Sequence, residues 1–214
     1  MKKILGFTAA IVSAAFIFAS CGSTAEAAKS APAESAIEEK KAEDPNALPE
    51  GMEAFVWTFQ DVDVSAVSDK AEKPTLTADY AYPSTPEGYV LTLGAGKYNK
   101  IAADGNTGNA VMKLGASKGF VEPHADTLVT TKVTGPCTIK AIVGCNSSSD
   151  KTDRYAFIKI GDTEYADEKL KASNILPAVG QVITAEYTGT EEAEVRIGGT
   201  GITRIYHVTI LKNK

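Results

Sequence analysis

From Gly135 to Tyr165 the side chains alternate in type with a period of two, the period of a pleated strand and not of a helix. Across Cys137–Gly144, Ile139, Ala141 and Val143 alternate with Thr138, Lys140 and Ile142, which predicts a half-buried strand. Tyr155, Phe157 and Lys159 then stand against Ala156, Ile158 and Ile160, a second strand. Gly161-Asp162 falls between Ile160 and the run Thr163-Glu164-Tyr165, a short-hairpin signal. The loop joining the first two strands holds Asn146, Ser147, Ser148, Ser149, Asp150, Asp153 and Arg154. It is the densest group of small hydrogen-bonding side chains in the sequence, and is expected to wall part of any binding site.

The rest of the body reads the same way. Ala54–Phe59 predicts an opening strand with Phe55, Trp57 and Phe59 on one face; core packing is the expected role of Trp57. A polar, Pro-containing stretch runs to Glu87, with Leu76 and Tyr80 as candidate anchors. Strands are predicted at Tyr89–Leu93, Lys97–Ala102, Ala110–Leu114 and Thr127–Val133. Gly135-Pro136 turns the chain into the stretch described first. Leu170–Gly180 reads as irregular, and Gln181–Tyr187, Ala193–Ile197 and Ile202–Leu211 complete the set. About ten short strands with turn signals at regular spacing predict an all-β, two-sheet β-sandwich of jelly-roll type. No amphipathic helix separates the strands, which argues against a doubly wound α/β fold.

The N-terminal pattern is different. Met1-Lys2-Lys3 is a positive region, Ile4–Phe18 is apolar, and small residues precede Cys21, so residues 1–20 read as a bacterial export signal. Cys21-Gly22-Ser23 resembles a lipoprotein processing site, although Phe18 stands where an aliphatic residue is usual; a plain secretory signal cut near Ala25–Ala28 is the alternative. Lipidation at Cys21 would anchor the chain to a membrane surface. Residues 21–50 are rich in Ala, Glu, Lys and Pro with almost no bulky apolar side chains, the composition of a flexible tether, leaving 51–214 as the folded domain.

Charge and chemistry narrow the function classes. The 214 residues carry a formal net charge of −5, concentrated in the tether, and the near-neutral body has no basic stripe, which argues against nucleic acid as a partner. Cys137 and Cys145 lie at opposite ends of one predicted strand, too far apart to bridge, and read as small packing residues. Only two histidines occur, neither beside a nucleophile motif. Glu122, His124 and Asp126 would share one side of an extended segment, but Pro123 argues against a regular central strand there, and surface charge is the favoured reading. Gly94-Ala95-Gly96 lacks the strand–helix setting of a phosphate loop, Glu191-Glu192 falls in a turn, and Gly198-Gly199-Thr200-Gly201 reads as a tight strand connection. No catalytic constellation emerges, so the expectation is a protein that is not an enzyme.

Four stretches together carry a family resemblance: Trp57-Thr58-Phe59, Gly135-Pro136-Cys137-Thr138-Ile139, Ser147-Ser148-Ser149 leading to Arg154, and Gly198-Gly199-Thr200-Gly201-Ile202-Thr203-Arg204-Ile205-Tyr206. In this order the body resembles the β-sandwich accessory domain of secreted bacterial pectate lyases and other polysaccharide-degrading proteins, similar in architecture to carbohydrate-binding modules. The chain has no room for the catalytic β-helix usual beside such a domain. The resemblance therefore implies a non-catalytic module whose partner is a polysaccharide or other glycan. Sugar recognition calls for an aromatic face beside planar polar groups, which makes Tyr98, Asn99, Asn146, Ser148, Arg154 and Tyr206 the candidate ligand-binding residues. No cofactor is implied beyond a structural Ca²⁺, for which Asp61 and Asp63, or Asp150 and Asp153, could supply oxygen ligands. The alternative is a structural envelope lipoprotein with a protein partner and no affinity for sugar.

Overall fold

The chain divides into two units, Met1–Lys41 and Ala42–Lys214. The computed structural model describes residues 48–69, 73–105, 109–145, 154–166 and 180–214, all in the second. The strands are β1 (Met52–Trp57), β2 (Thr75–Leu76), β3 (Tyr80–Pro83), β4 (Val90–Leu93), β5 (Gly96–Ala102), β6 (Phe120–Pro123), β7 (Val129–Thr134), β8 (Cys137–Gly144), β9 (Ala156–Ile160), β10 (Thr163–Ala166), β11 (Gln181–Tyr187), β12 (Glu192–Gly199) and β13 (Arg204–Asn213). A single helical turn, α1 (Asn109–Met112), stands among them. Sheet 1 has the order β11-β8-β13-β6-β5-β2, with β1 also paired to β13, and sheet 2 the order β10-β9-β12-β7-β4-β3. Among the described residues all strand pairings are antiparallel. The protein is a two-sheet β-sandwich, and from β3 onward the chain passes repeatedly between the sheets, as in a jelly roll.

Period-two alternation places the core. Phe55, Trp57, Ile139, Ala141, Val143, Ile205, Val208 and Ile210 point inward from sheet 1; Leu91, Leu93, Val129, Val133, Ile158, Val195 and Ile197 meet them from sheet 2. Each fully buried aliphatic of this kind contributes about 1.5–3 kcal/mol of transfer free energy. Trp57 is 1% exposed, and its indole N–H donates to the carbonyl of Tyr82 at 2.8 Å, pinning β1 of sheet 1 to β3 of sheet 2.

Several local expectations change. The strands expected on either side of the Asn146–Arg154 loop fall in different sheets, β8 in sheet 1 and β9 in sheet 2, while β9–β10 forms the expected hairpin at Gly161-Asp162. Ala110–Leu114 is not a strand but runs through α1. Val111 in α1 and Leu114 in the turn that follows pack with Ala116, Phe120, Ile142 and Tyr206 on the outer side of sheet 1. The polar stretch before Glu87 contains β2 and β3, short edge pieces whose few residues leave little alternation to read. The segment around Pro123 is β6, an interior strand of sheet 1. Proline is tolerated because it is the last residue of the strand.

Candidate functional site

The outer side of sheet 2 is an open polar face. Inward residues on β7, β9 and β12 leave Thr130, Lys132, Thr134, Phe157, Lys159, Glu192, Glu194 and Arg196 facing out, all of them exposed or half-buried. Register aligns them into cross-strand rows: Thr92 with Thr130, Thr130 with Arg196, and Arg196 with Lys159. Lys159 in turn faces Glu164 on β10. Lys132 donates to Glu192 at 2.6 Å, and Arg196 pairs with Glu194. Between β4, β7 and β12 the surface is hollowed into a depression of about 380 Å³ lined by Tyr89, Val90, Thr92, Thr130, Lys132 and Glu194, among others.

Besides Tyr89 in the depression, the described part of the face carries two aromatic rings at its β9 end. Phe157 is half-buried, opposite Gly198 on the neighbouring strand, and a Cβ at Gly198 would lie 3.5 Å from the Phe157 ring. With no side chain at this position, the edge of the Phe157 ring lies against the sheet at half-buried Gly198. Tyr155 stands 6.5 Å from Phe157 between ring centroids, and its hydroxyl donates to Glu164. The next glycine differs. A Cβ at Gly199 would meet the Thr203 hydroxyl at 1.9 Å and the Tyr155 carbonyl at 2.9 Å, so this one serves close packing.

The outer side of sheet 1 is divided. Over β5, β6 and the start of β13 it is covered and polar groups are locked. Glu122 is fully buried, its Oε2 accepting from Arg204 Nε at 2.7 Å and Nη2 at 2.6 Å, its Oε1 from the Asn99 amide. The Arg204 guanidinium lies 4.1 Å from the Phe120 ring centroid, a cation–π stack. With every member satisfied, the cluster ties three strands together. Over β11, β8, β13 and β1 the same side is an open groove of about 340 Å³ with a largely apolar floor.

The sequence-predicted residues are dispersed. Tyr98 is 1% exposed and its hydroxyl donates to the Gly94 carbonyl at 3.0 Å; it is a core residue and offers no ring face, because β5 turns it inward. Tyr206 is likewise buried, packed edge-on to Phe120 at 5.9 Å, and burial pushes its phenol upward in pKa. Asn99 and Tyr206 are brought together by the Glu122–Arg204 pair, which leaves them structural. Arg154 packs over Gly201 and its Nη1 donates to the Ile202 carbonyl at 3.4 Å. Asn146, Ser148, Asp150, Asp153 and Cys21 lie outside the described residues.

Other candidates are likewise resolved into local roles. The expectation of surface charge at Glu122 is corrected, since the interior position of β6 buries it. Asp61 accepts from the Tyr82 hydroxyl and Asp63 from the Ser65 amide at 3.0 Å. Among the described residues no three His, Cys, Asp or Glu side chains converge as metal ligands. Cys137 and Cys145 are buried and unbridged, and burial raises the Cys137 thiol. His207 sits in the groove with Nε2 2.9 Å from Thr209 Oγ1, and burial lowers its imidazole to about 4, so it is neutral at ordinary pH.

What the sequence reading missed was Phe157 with Arg196 and Gly198. The signal was present: Ala156, Ile158 and Ile160 are uniformly aliphatic, so the opposite set, with Phe157 and Lys159, must face outward.

No family model matches the chain, and no curated protein matches it. Among solved structures it is similar to Xyl-CBM35 in complex with a glucuronic-acid-containing disaccharide, at 12% identity and TM-score 0.35 over 54% of this chain and 90% of that one. It is also similar to a family GH115 4-O-methyl-α-glucuronidase with specificity for decorated arabinogalactans, at 13% identity and TM-score 0.33, over 65% of this chain but 18% of that one. A third is the C-terminal CBM6 of a marine laminarinase from Zobellia galactanivorans, at 12% identity and TM-score 0.23 over 63% of this chain and 88% of that one.

Proposed function

We propose that the protein is a non-catalytic glycan-binding β-sandwich, exported and held at the bacterial envelope by an acyl anchor on Cys21. The observation that carries the glycan reading is the open face of sheet 2. There the half-buried Phe157 ring lies against Gly198 and is followed by Arg196, Glu194, Lys132 and a row of threonines. A pyranose offers an apolar ring face and a rim of hydroxyls; the aromatic ring accepts the first, and the carboxylates, guanidinium and hydroxyls pair with the second. Family resemblance in sequence to accessory domains of polysaccharide-degrading proteins, including those of pectate lyases, supports the same reading. The anchor rests on the positive, apolar and small-residue pattern ending at Cys21.

Affinity electrophoresis of the full chain against acidic and neutral polysaccharides, with and without Ca²⁺, tests this. At least one glycan is expected to retard the protein, and Phe157→Ala should abolish the retardation while the far-ultraviolet circular dichroism stays unchanged. No retardation across the panel would sink the glycan reading. The weight would then pass to a structural or protein-interaction lipoprotein, which the burial of Trp57, Tyr82, Tyr98 and Tyr206 favours. Radiolabelled palmitate incorporation, lost in Cys21→Ser, tests the anchor.

A further inference from the structure

The groove on the outer side of sheet 1 has chemistry unlike the glycan face. Its floor follows from three cross-strand rows: Val182–Ile142–His207, then Lys140–Thr209–Val56, then Leu211–Ala54. Leu114 and Gly115 close one part of its rim, and Leu48 and Pro49 another. Leu48 at 47% and Val182 at 43% are two of the most exposed large apolar side chains described, and both border this groove. Among the described residues no Phe, Tyr or Trp lines it, so a sugar would find no broad apolar ring to stack on.

One charge lies in this apolar setting. Among the described residues of the lining, Lys140, central on β8, is the sole formally charged side chain, and none of the salt bridges among the described residues involves it. The nearest acid along β11 is Glu186, whose Oε2 accepts from Thr138 at 2.8 Å. His207 is neutral there, for the burial reason given above. An apolar trough with one cation midway complements a molecule with one aliphatic chain and one negative head. A bilayer surface would ask for several basic side chains together, and the described lining of this groove has one.

We propose that the groove binds a free single-chain carboxylate amphiphile, its chain along Val182, Ile142 and Leu211 and its head on Lys140. The site is separate from the sheet 2 face, and neither depends on the other.

Isothermal titration calorimetry of the full, non-acylated chain with decanoate, decanol and decylammonium, each below its aggregation concentration, tests the assignment. Decanoate is expected to bind saturably at one per chain, and roughly tenfold or more tighter than decanol, since an anionic head gains a charged hydrogen bond. Lys140→Met should erase the difference between decanoate and decanol, and Val182→Glu should abolish binding of both. Phe157→Ala should change neither. Absent binding, equal binding of all three probes, or binding untouched by Lys140→Met and Val182→Glu would overturn the proposal. So would Lys140-dependent retention on phosphatidylglycerol vesicles, which would point to a bilayer. A dimer in sedimentation velocity that Val182→Glu dissociates would also overturn it, since a second copy would then be the occupant.

Discussion

The two outer faces of the sandwich are made by the same device, period-two alternation over a shared core, yet they carry opposite chemistry. On sheet 2 the outward positions are threonines, matched acids and bases, and an aromatic ring beside a glycine. On sheet 1 the described groove positions are mostly aliphatic, with Thr209, a neutral His207 and Lys140 among them, beside a zone covered by α1 and the buried Glu122–Arg204 pair. Burying a second apolar face needs a covering element, and among the described residues the Val111–Ala116 segment supplies one over part of sheet 1. The charge-balanced face needs no cover. A sandwich can thus present one wet and one greasy surface without altering its core.

The sealed zone should yield the largest effect. Arg204→Ala leaves the Glu122 carboxylate buried and unpaired, and is expected to cost about 3–5 kcal/mol in chemical denaturation. A loss under about 1 kcal/mol would mean that water reaches Glu122 and that the zone is not sealed. The paired glycines of β12 sharpen the contrast between packing and surface: Gly199→Ala should destabilise by about 1–3 kcal/mol through its clash with Thr203 and the Tyr155 backbone. Gly198→Ala should leave the unfolding midpoint within error, because its Cβ meets only ordinary contact distances.

The groove side should also respond to pH. His207 has a folded-state pKa of about 4 against 6.5 for the free side chain, so the unfolded chain takes up the proton first as pH falls. Its contribution is fully present above about pH 6.5 and is lost between there and pH 4. For a partly exposed ring this amounts to about 1–3 kcal/mol. His207→Leu should flatten that part of the stability–pH profile, and an unchanged slope would break the assignment. Smaller still, Phe157→Ala should cost about 1 kcal/mol or less in stability while removing glycan retardation. Lys132→Ala, on the open face, should not move the unfolding midpoint measurably.

The strands that were legible in the sequence are those long enough to show alternation. β8, β9, β11 and β13 carry four or more inward positions or a strict aliphatic set, and their limits fall within a few residues of the expected ones. β2 and β3 were hidden because two or four residues cannot display a period. Ala110–Leu114 was misread as a strand because a short apolar run carries no period of its own. Tyr98 and Tyr206 looked like ligand residues because an aromatic beside a polar neighbour reads alike whether it points into the core or out.

By itself the sequence determined the all-β class, the inward aliphatic sets and the turns at Gly135 and Gly161, because these depend on side-chain period and on backbone freedom at single positions. Only the tertiary structure decided that β8 and β9 belong to different sheets, that Glu122 meets Arg204 across 82 residues, and that Lys140 lies in a mostly apolar groove beside Thr209. Those outcomes depend on which strands become neighbours. Register and sheet order are set by the packing of the whole core, which no local window of the chain contains.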